Sequence, residues 1–569
     1  MKKMLIGLFV LTILFTLTSC SFFSKENENE SNNSDDATNN VEYDKYVSSN
    51  LEEGVDYISH TTTYDGRNFQ YDKSAWYINN LDKVPLPDPQ IFVEDGIYYI
   101  VGTNDASTKV VTCYTTTDFN TYQYAGEIYN PARYKGWEKA DPAIYAPEMY
   151  CFEGVYYLYY SALDKNNIRR NSVVSATSPL GPYEPIVNDE VDGLSNPLFL
   201  DQNVKNAVLD STIFVDDDNT MYMYYSVADV YGQHIVGVKL NSPYDADWST
   251  YTEIVKPGYI DSSFTLKPLV WEEYRNKTAI AEAPYMIKSN GKYYMTYSVN
   301  GCWNKYYNVC YAVSDSPLGN YVKPYENGKL WTNLLLGYPG DKLDFNKVYQ
   351  QWSGFASGTG HHSFFMIGDQ VMIAYHAHQN RDWNSESAYT KRYLAIDYLY
   401  FDEEGVPYCN GPTWSLQPLP EGISGYKNIA ENSIIKCKNV ENVNYVNDNY
   451  IEDCYNLVQD NKEVNLGNGY SFIELVFDQE YEIGGIAIYN SAFFDKMIEE
   501  VVYIDFGNGN VVHYPQFCLE TYTNEDLEFV HPCSAITVEF ATTVKAEKVI
   551  ICFNLPEGGS INEIKVLGK

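Results

Sequence analysis

The sequence predicts an all-β protein in which a five-bladed β-propeller is followed by a β-sandwich. Apolar and aromatic residues alternate in strand-length runs along the 569 residues, whereas long helical periodicity is hard to find. One unit recurs five times: a polar anchor residue, a short strand, a turn of Gly, Asp or Asn, and a Tyr-rich strand. Beyond residue 430 the strands alternate in the manner of a sandwich.

The five anchors indicate how the repeated units are arranged. They are Asp88, Glu148, Asp210, Glu282 and His361, which follows Gly360. Their spacings of 60, 62, 72 and 79 residues suit four-stranded sheets with loop insertions. Five sheets closing into a ring protect their edges. Because the innermost strand of each blade starts at the axis, we expect the anchors to occupy equivalent positions on one face of the central channel.

The N-terminus predicts export. Lys2 and Lys3 precede an apolar run of signal-peptide length that is too short to span a bilayer comfortably. The run ends in the sequence LTSC at residues 17–20, which resembles the lipobox of bacterial lipoproteins. We therefore expect residues 1–19 to be a lipoprotein signal peptide and Cys20 to be lipidated. Residues 20–45 are polar and acidic and predict a flexible tether, which gives a protein anchored at the bacterial cell surface or membrane.

Composition excludes several classes of function. The formal net charge of −37 argues against nucleic-acid binding and against a polybasic membrane surface. A hydrophobic content of 45% excludes an extended acidic disordered chain.

None of the 11 cysteines forms a CxxC pair, and the disulfide connectivity stays open, although Cys302 and Cys310 could bridge a hairpin. The motifs of P-loop enzymes, α/β-hydrolases, zincins and dinucleotide-binding folds are all absent from the sequence.

Three of the anchors suit glycoside hydrolysis. This reaction needs a carboxylic acid that protonates the leaving oxygen and a carboxylate that activates water, about 6.5 to 9.5 Å apart in inverting enzymes. Asp88 precedes a proline, which biases its backbone towards an extended conformation. Glu282 and Asp210 lie among apolar residues, where burial and mutual repulsion raise a carboxyl pKa as a general acid requires.

Four segments resemble, in order, the signature blocks of glycoside hydrolase family 43. They are PDPQIFVEDGIYYIVGT, LDSTIFVDDDNTMYMYYS, AEAPYMIKSNGKYYMTYS and GTGHHSFF with the later AYHAH, within roughly residues 80–418. The resemblance implies a five-bladed propeller of inverting enzymes that act on arabinose-, xylose- and sometimes galactose-containing plant glycans. It implies that Asp88 is the general base, Glu282 the general acid and Asp210 the group that tunes the pKa of the acid. Asn219 and Ala283 stand where the family usually has glycine.

Further ligands of substrate or metal are weaker candidates. Four of the eight histidines lie at positions 361, 362, 376 and 378, without the partners of a zinc site. The resemblance implies that His361 helps to hold a central calcium ion, mostly through water; the alternative is a hydrogen-bonded core histidine. Arg381 is a candidate ligand of sugar hydroxyls or else a surface charge, and Trp352 is a candidate stacking platform or else a core residue.

The domain and function predictions follow. Residues 46–420 are expected to form the catalytic propeller and residues 430–569 a sandwich that resembles discoidin or galactose-binding-like domains. That second domain either binds carbohydrate or only packs against the propeller, and with no Trp beyond Trp414 a stacking platform would use Tyr or Phe. We expect an arabinofuranosidase or xylosidase acting on neutral plant-type glycans, since the negative charge disfavours acidic pectin backbones. The alternatives are an endo-arabinanase and a non-catalytic glycan-binding lipoprotein.

Overall fold

The structure is a computed structural model that describes most of the chain after residue 74. The described ranges are 57–58, 75–79, 83–134, 136–186, 190–191, 194–195, 207–229, 232–260, 266–268, 280–303, 307–324, 333–337, 356–379, 391–413, 416–438, 440–451, 462–491, 496–498, 501–513, 518–519, 521–524, 527–530 and 534–569. The predicted signal peptide, Cys20 and the tether lie outside these ranges.

Five four-stranded antiparallel sheets follow one another along the chain, each with its strands in sequence order. Blade 1 contains Gln90–Glu94, Ile97–Val101, Val111–Thr116 and Gln123–Tyr129. Blade 2 contains Tyr145–Phe152, Val155–Leu163, Arg169–Ala176 and Glu184–Pro185. Blade 3 contains Ala207–Val215, Met221–Asp229, Gly232–Ser242 and Asp245–Val255. Blade 4 contains Ala281–Ser289, Lys292–Val299, Asn308–Ser314 and Leu334–Leu336. Blade 5 contains Ala356–Ile367, Gln370–Gln379, Arg392–Phe401 and Pro407–Cys409. The predicted five-bladed propeller is confirmed.

Apolar clusters join each blade to the next and close the ring. Five buried clusters each combine residues of two neighbouring blades, and one of them joins blade 5 to blade 1. At that closure the Phe365 ring lies 5.5 Å from the Phe119 ring and 6.2 Å from the Tyr98 ring. In the Tyr-Tyr pairs of the repeated Tyr-rich strands, the second tyrosine is buried between neighbouring blades. Packing between sheets therefore accounts for much of the tyrosine excess.

The C-terminal part is a ten-stranded sheet around a separate apolar core. Its strands are Lys427–Asn428, Ile434–Cys437, Val464–Asn465, Gly469–Asn490, Val501–Asp505, Val511–His513, Cys518–Leu519, Ala535–Leu555 and Ser560–Gly568, joined by Tyr57–Ile58. The expected all-β fold of this part is confirmed. Two of its strands are 22 and 21 residues long, and the register of their pairing shifts twice along their length.

Short elements connect the two parts. Trp76–Tyr77 pairs with Gln417–Pro418, and the Trp76 side chain is buried in a cluster with residues of the C-terminal sheet. The remaining two-stranded ribbons are Glu190–Val191 with Leu194–Ser195, Gly258–Ile260 with Leu266–Pro268, and Thr521–Asn524 with Leu527–Val530. The helical elements with both ends in the described ranges are Glu421–Ser424 and the 3₁₀ turns Pro131–Arg133 and Val443–Val446. The same ranges contain no helix whose length and hydropathy would let it span a lipid bilayer.

Candidate active site

A residue with positive φ lies at the start of the innermost segment of every blade. These residues are Asp88 (56°), Ala146 (45°), Asp210 (55°), Ala283 (50°) and His361 (49°). In blades 2 to 5 the strand pairing shifts its register across this residue, which is the signature of a β-bulge. The prediction that the five anchors are equivalent was therefore wrong for two of them. Glu148 lies two residues after its bulge and Glu282 one residue before.

Most of the bulge amides donate to a polar side chain of the preceding blade. The Ala146 N–H donates to Thr103 Oγ1 at 2.9 Å, Asp210 N–H to Ser161 Oγ at 3.0 Å, His361 N–H to Ser298 Oγ at 2.8 Å, and Asp88 N–H to His376 Nδ1 at 3.2 Å. In blade 4 the Ala283 N–H instead donates to Asp210 Oδ2 at 3.2 Å. The corresponding serine, Ser226, has no hydrogen-bond partner among the described residues. This exception brings the Asp210 carboxyl beside the peptide that follows Glu282.

Cationic and hydroxyl groups surround Asp88. Its Oδ1 accepts from Arg392 at 2.9 Å and lies 3.2 Å from His361 Nδ1, while its Oδ2 accepts from Thr103 Oγ1 at 2.5 Å. Burial by itself would raise the pKa of Asp88, but Arg392 and then His361 outweigh that effect and hold the pKa well below its ordinary value. Asp88 is consequently an ionised carboxylate over the whole neutral and mildly acidic range.

Glu282 and Asp210 have the opposite electrostatic character. Burial raises the pKa of Glu282 to about 7, helped by the charge of Asp88 and opposed by a 2.8 Å hydrogen bond from the Tyr307 hydroxyl. Burial also raises the pKa of Asp210 to about 7, and the charges of Glu282 and Asp88 add to the effect while His361 opposes it. Because the two groups interact, they titrate as a pair. The site thus combines one ionised carboxylate with a carboxylic acid pair that retains protons near neutral pH.

Glu148 takes part in hydrogen bonds that link neighbouring blades. Its Oε2 accepts a short hydrogen bond from the Tyr150 hydroxyl, which lies 3.0 Å from Thr212 Oγ1 of blade 3. Burial raises the pKa of Glu148 to about 8. Gln90 of blade 1 exchanges two 3.1 Å hydrogen bonds with the backbone of Met149. These contacts fasten blades 1, 2 and 3 to one another.

The histidines do not form a metal centre in the described ranges, where no group of three or more His, Cys, Asp or Glu side chains is arranged to hold an ion. His376 accepts the Asp88 amide at Nδ1, and burial lowers its pKa to about 3, so the ring is neutral. Calcium prefers oxygen ligands, and the groups around His361 and His376 offer mainly imidazole nitrogens and an Asp88 oxygen already engaged with Arg392. The donor set does not fit a directly bound calcium ion, and the water-mediated ion implied by the resemblance stays a prediction.

Two residues of the site were not predicted. Arg392 pairs across the sheet with His378, and Tyr307 stacks on His376 with ring centroids 5.4 Å apart. The cross-strand register of blade 5 would have indicated Arg392, because its strand follows the histidine-rich one, but no pattern marks Tyr307. The predicted ligands Arg381 and Trp352 lie outside the described residues.

Among the tryptophans of the propeller, Trp137 is buried in the core between blades 1 and 2, whereas Trp303 is about half exposed. The structure contains no disulfide bond between Cys302 and Cys310, so the bridge considered for them is not formed.

Comparisons with known proteins point to one family. The family described as Glycosyl hydrolases family 43 matches residues 79–407, which is more than half of the chain. Among solved structures, a thermostable family-43 glycoside hydrolase aligns with a TM-score of 0.47 and 25% identity, covering 60% of this chain and 98% of that one.

Curated relatives have several named specificities. A β-D-galactofuranosidase of Aspergillus niger is 28% identical over 253 residues, or 44% of this chain and 57% of the relative. A xylosidase/arabinosidase of Humicola insolens is 30% identical over 181 residues, or 27% of this chain and 50% of the relative. An extracellular exo-α-(1→5)-L-arabinofuranosidase of Cellvibrio japonicus is 24% identical over 336 residues, or 57% and 86%. The chain thus spans about half the length of the first two relatives.

Proposed function

Because the chain belongs to glycosyl hydrolases family 43, we propose that it is an inverting glycoside hydrolase that cleaves arabinofuranosyl or xylosyl linkages in neutral plant-type glycans. The observation that supports this most strongly is the opposite protonation of two buried carboxyl groups in one site. The pKa of Asp88 is held well below its ordinary value, while that of Glu282 is raised to about 7. Environments that push the pKa values of two carboxyl groups apart assign one as base and the other as acid.

In the proposed mechanism, Asp88 activates water. Its carboxylate accepts a proton from a water molecule, whose oxygen attacks the anomeric carbon from the face opposite the leaving group. Glu282 donates its proton to the glycosidic oxygen as the bond to the anomeric carbon breaks. Attack from the opposite face inverts the configuration at that carbon. Glu282 then loses its negative charge when it regains a proton from solvent and Asp88 releases the one that it gained.

Asp210 serves the acid rather than the sugar in this proposal. Its Oδ2 accepts the Ala283 N–H and so fixes the backbone directly after Glu282. Its charge interacts with that of Glu282, and two neighbouring carboxyl groups in a buried site cannot both ionise readily. Asp210 thereby keeps a proton on the pair at the pH at which Asp88 is ionised.

The test is a panel of substrates compared on one preparation. Aryl α-L-arabinofuranoside, aryl β-xyloside and aryl galactofuranoside report on exo-acting specificity, and linear arabinan reports on endo action. We expect hydrolysis of an arabinofuranoside or a xyloside with an inverted product by NMR. The Glu282→Gln protein is the control on linear arabinan, whose leaving group is poor, because removing a general acid lowers such rates by about 10²- to 10⁴-fold. Glycan binding without cleavage of any substrate would favour the non-catalytic binding protein instead.

We also propose that the protein is exported and held at the membrane by lipidation of Cys20. The support is the sequence alone, in which LTSC follows an apolar run after two lysines. Fractionation of a bacterial host tests this directly. The intact protein should partition into detergent, and the Cys20→Ala protein should leave the membrane fraction. Equal partitioning of both proteins would contradict lipid anchoring.

A further inference from the structure

A cavity of about 290 Å³ lies where blade 5 meets the C-terminal sheet. We call it the junction pocket and define it by Gln370, Tyr398 and Tyr400 of blade 5, Tyr426 of the connecting segment, and Asn449 and Lys565 of the C-terminal part. We propose that the junction pocket is a second saccharide-binding site, separate from the active site, that holds one or two rings of a neutral glycan. The choice of saccharide rests on the proposed function, whereas the site itself does not.

The blade 5 wall of the junction pocket is aromatic. Tyr398 and Tyr400 project from the same face of one strand, with ring centroids 5.5 Å apart and ring planes within 12° of parallel. The stack continues from Tyr400 to Tyr408 at 5.4 Å. The Tyr398 hydroxyl donates to the Pro418 carbonyl at 2.7 Å, which fixes the orientation of that ring. A pre-ordered aromatic wall with polar edges suits the C–H faces and hydroxyl groups of a sugar ring.

The rest of the lining is polar and also pre-ordered. Lys565 is 2% exposed; its Nζ donates to the Tyr400 hydroxyl at 3.3 Å and lies 5.0 Å from the centroid of the Tyr398 ring, over its face. The ammonium group thus lines the cavity beside the aromatic wall. The Asn449 amide donates to Glu431 and accepts from Asn428 Nδ2 at 3.2 Å. Such paired amides and carboxylates are the groups that recognise sugar hydroxyls.

Charge and size favour a neutral sugar over other small ligands. The lining includes the acidic residues Asp369, Glu421 and Glu431 and the basic residues Lys427 and Lys565, a mixture that repels a phosphate or a polyanion as much as it attracts one. The volume lies at the lower limit of the roughly 300–1,000 Å³ of small-molecule pockets.

The junction pocket is remote from the carboxyl groups of the active site. Its blade 5 lining begins at Ile367, six residues along the same strand from His361, which corresponds to about 20 Å of extended chain. One glycan chain that occupied both sites would be held near the active site by the second contact, which raises its effective concentration there. The proposed carbohydrate-binding site therefore lies at the boundary between blade 5 and the C-terminal sheet. Tyrosine residues there take the place of a tryptophan stacking platform.

Isothermal titration of the full chain tests the proposal. In the Glu282→Gln background, which prevents turnover, short arabino- and xylo-oligosaccharides should bind at two sites per chain. Tyr398→Ala should abolish or weaken the second binding event by about tenfold, the loss expected for a stacked ring. The milder single change Asp369→Ala alters an exposed residue of the rim and guards against a folding defect. The control is Tyr470→Ala, which removes a 54% exposed tyrosine of the C-terminal sheet that does not line the pocket.

The outcomes separate this proposal from the proposed function. With Glu282 restored, the pocket variants should keep the kcat/KM of the wild type on aryl glycosides, since these occupy the active site alone. A single binding event in every protein, or equal loss in the Tyr470→Ala control, would overturn the junction pocket while leaving hydrolysis intact. A second binding event that persists when no glycoside is cleaved would support the pocket and count against the proposed hydrolase.

Discussion

The hydrogen bond from Tyr307 lowers the pH at which Glu282, the proposed general acid, loses its proton. Catalysis as proposed requires Asp88 ionised and Glu282 protonated. The pKa of Asp88 lies well below its ordinary value and that of Glu282 at about 7, so kcat/KM should fall as the pH rises through about 7. Because the Tyr307 hydroxyl donates to Glu282 Oε1 at 2.8 Å, it stabilises the ionised form. Removing the hydroxyl should therefore raise the pKa of Glu282.

The size of the shift follows from the energy of one hydrogen bond. A hydrogen bond to a charged acceptor contributes about 1.5–3 kcal/mol and one to a neutral acceptor about 0.5–1.5 kcal/mol. The difference of about 1.4 kcal/mol corresponds to about one pH unit. Tyr307 is fully buried and stacks on His376 with an interplanar angle of 10°. Phenylalanine preserves that stack, so Tyr307→Phe should move the alkaline limb of the kcat/KM profile upward by about one unit.

The matched control is another buried tyrosine that donates to a carboxylate. The Tyr375 hydroxyl donates to Asp397 Oδ2 at 2.6 Å, and Asp397 takes no part in the proposed chemistry. Profiles of kcat/KM against pH should be measured for the wild type, Tyr307→Phe and Tyr375→Phe with one glycoside whose leaving group is poor, so that cleavage needs the general acid. The control should lose stability but keep the limb of the wild type. An alkaline limb that stays in place or moves downward in Tyr307→Phe would refute the assignment of Glu282 as the titrating acid.

Three further predictions concern single substitutions. Glu282→Gln should slow the hydrolysis of glycosides with poor leaving groups far more than that of activated aryl glycosides, because only the former need a protonated leaving oxygen. The measurement is kcat/KM for a series of aryl glycosides whose phenol leaving groups differ in pKa. Arg392→Gln removes the cation that lowers the pKa of Asp88, so the acidic limb of kcat/KM should move to higher pH, and an unmoved limb would count against Asp88 as the base. Ser298→Ala should destabilise the fold by about 1 kcal/mol in urea unfolding, whereas Ser226→Ala should have little effect, since only Ser298 accepts a bulge amide.

The fold and the three carboxyl groups were predictable because they follow from local pattern. Period-2 alternation, turn residues and a repeated unit define strands and blades without reference to distant contacts. The segments around Asp88, Asp210 and Glu282 also lie at comparable places in their units, so a ring closure suffices to bring them to one axis. Their apolar neighbours indicated burial, and burial is the largest cause of the raised pKa values of Asp210 and Glu282.

The parts that could not be predicted depend on contacts between segments far apart in sequence. Arg392 lies 304 residues from Asp88, and its approach depends on blade 5 meeting blade 1. Tyr307 directly precedes the third strand of blade 4, and it bonds to Glu282 in the first strand of that blade. The two long C-terminal strands pair with each other through two shifts of register, and alternation alone does not distinguish such strands from pairs of shorter ones.

Asp210 contacts the peptide next to Glu282 because blade 4 departs from the hydrogen-bonding pattern that blades 3 and 5 share. The sequence shows a Tyr-Ser pair near the end of the second strand in blades 2, 3 and 4, and in blades 2 and 4 the serine accepts the amide of the next bulge. Ser226 is the blade 3 member of this set, yet the amide next in line, that of Ala283, bonds to Asp210 instead. The positive φ of Ala283 explains why the family usually has glycine there, since a Cβ makes that conformation less favourable. The unfavourable backbone and the exchanged acceptor together hold the Asp210 carboxyl against the peptide of Glu282, where its charge can keep the acid protonated.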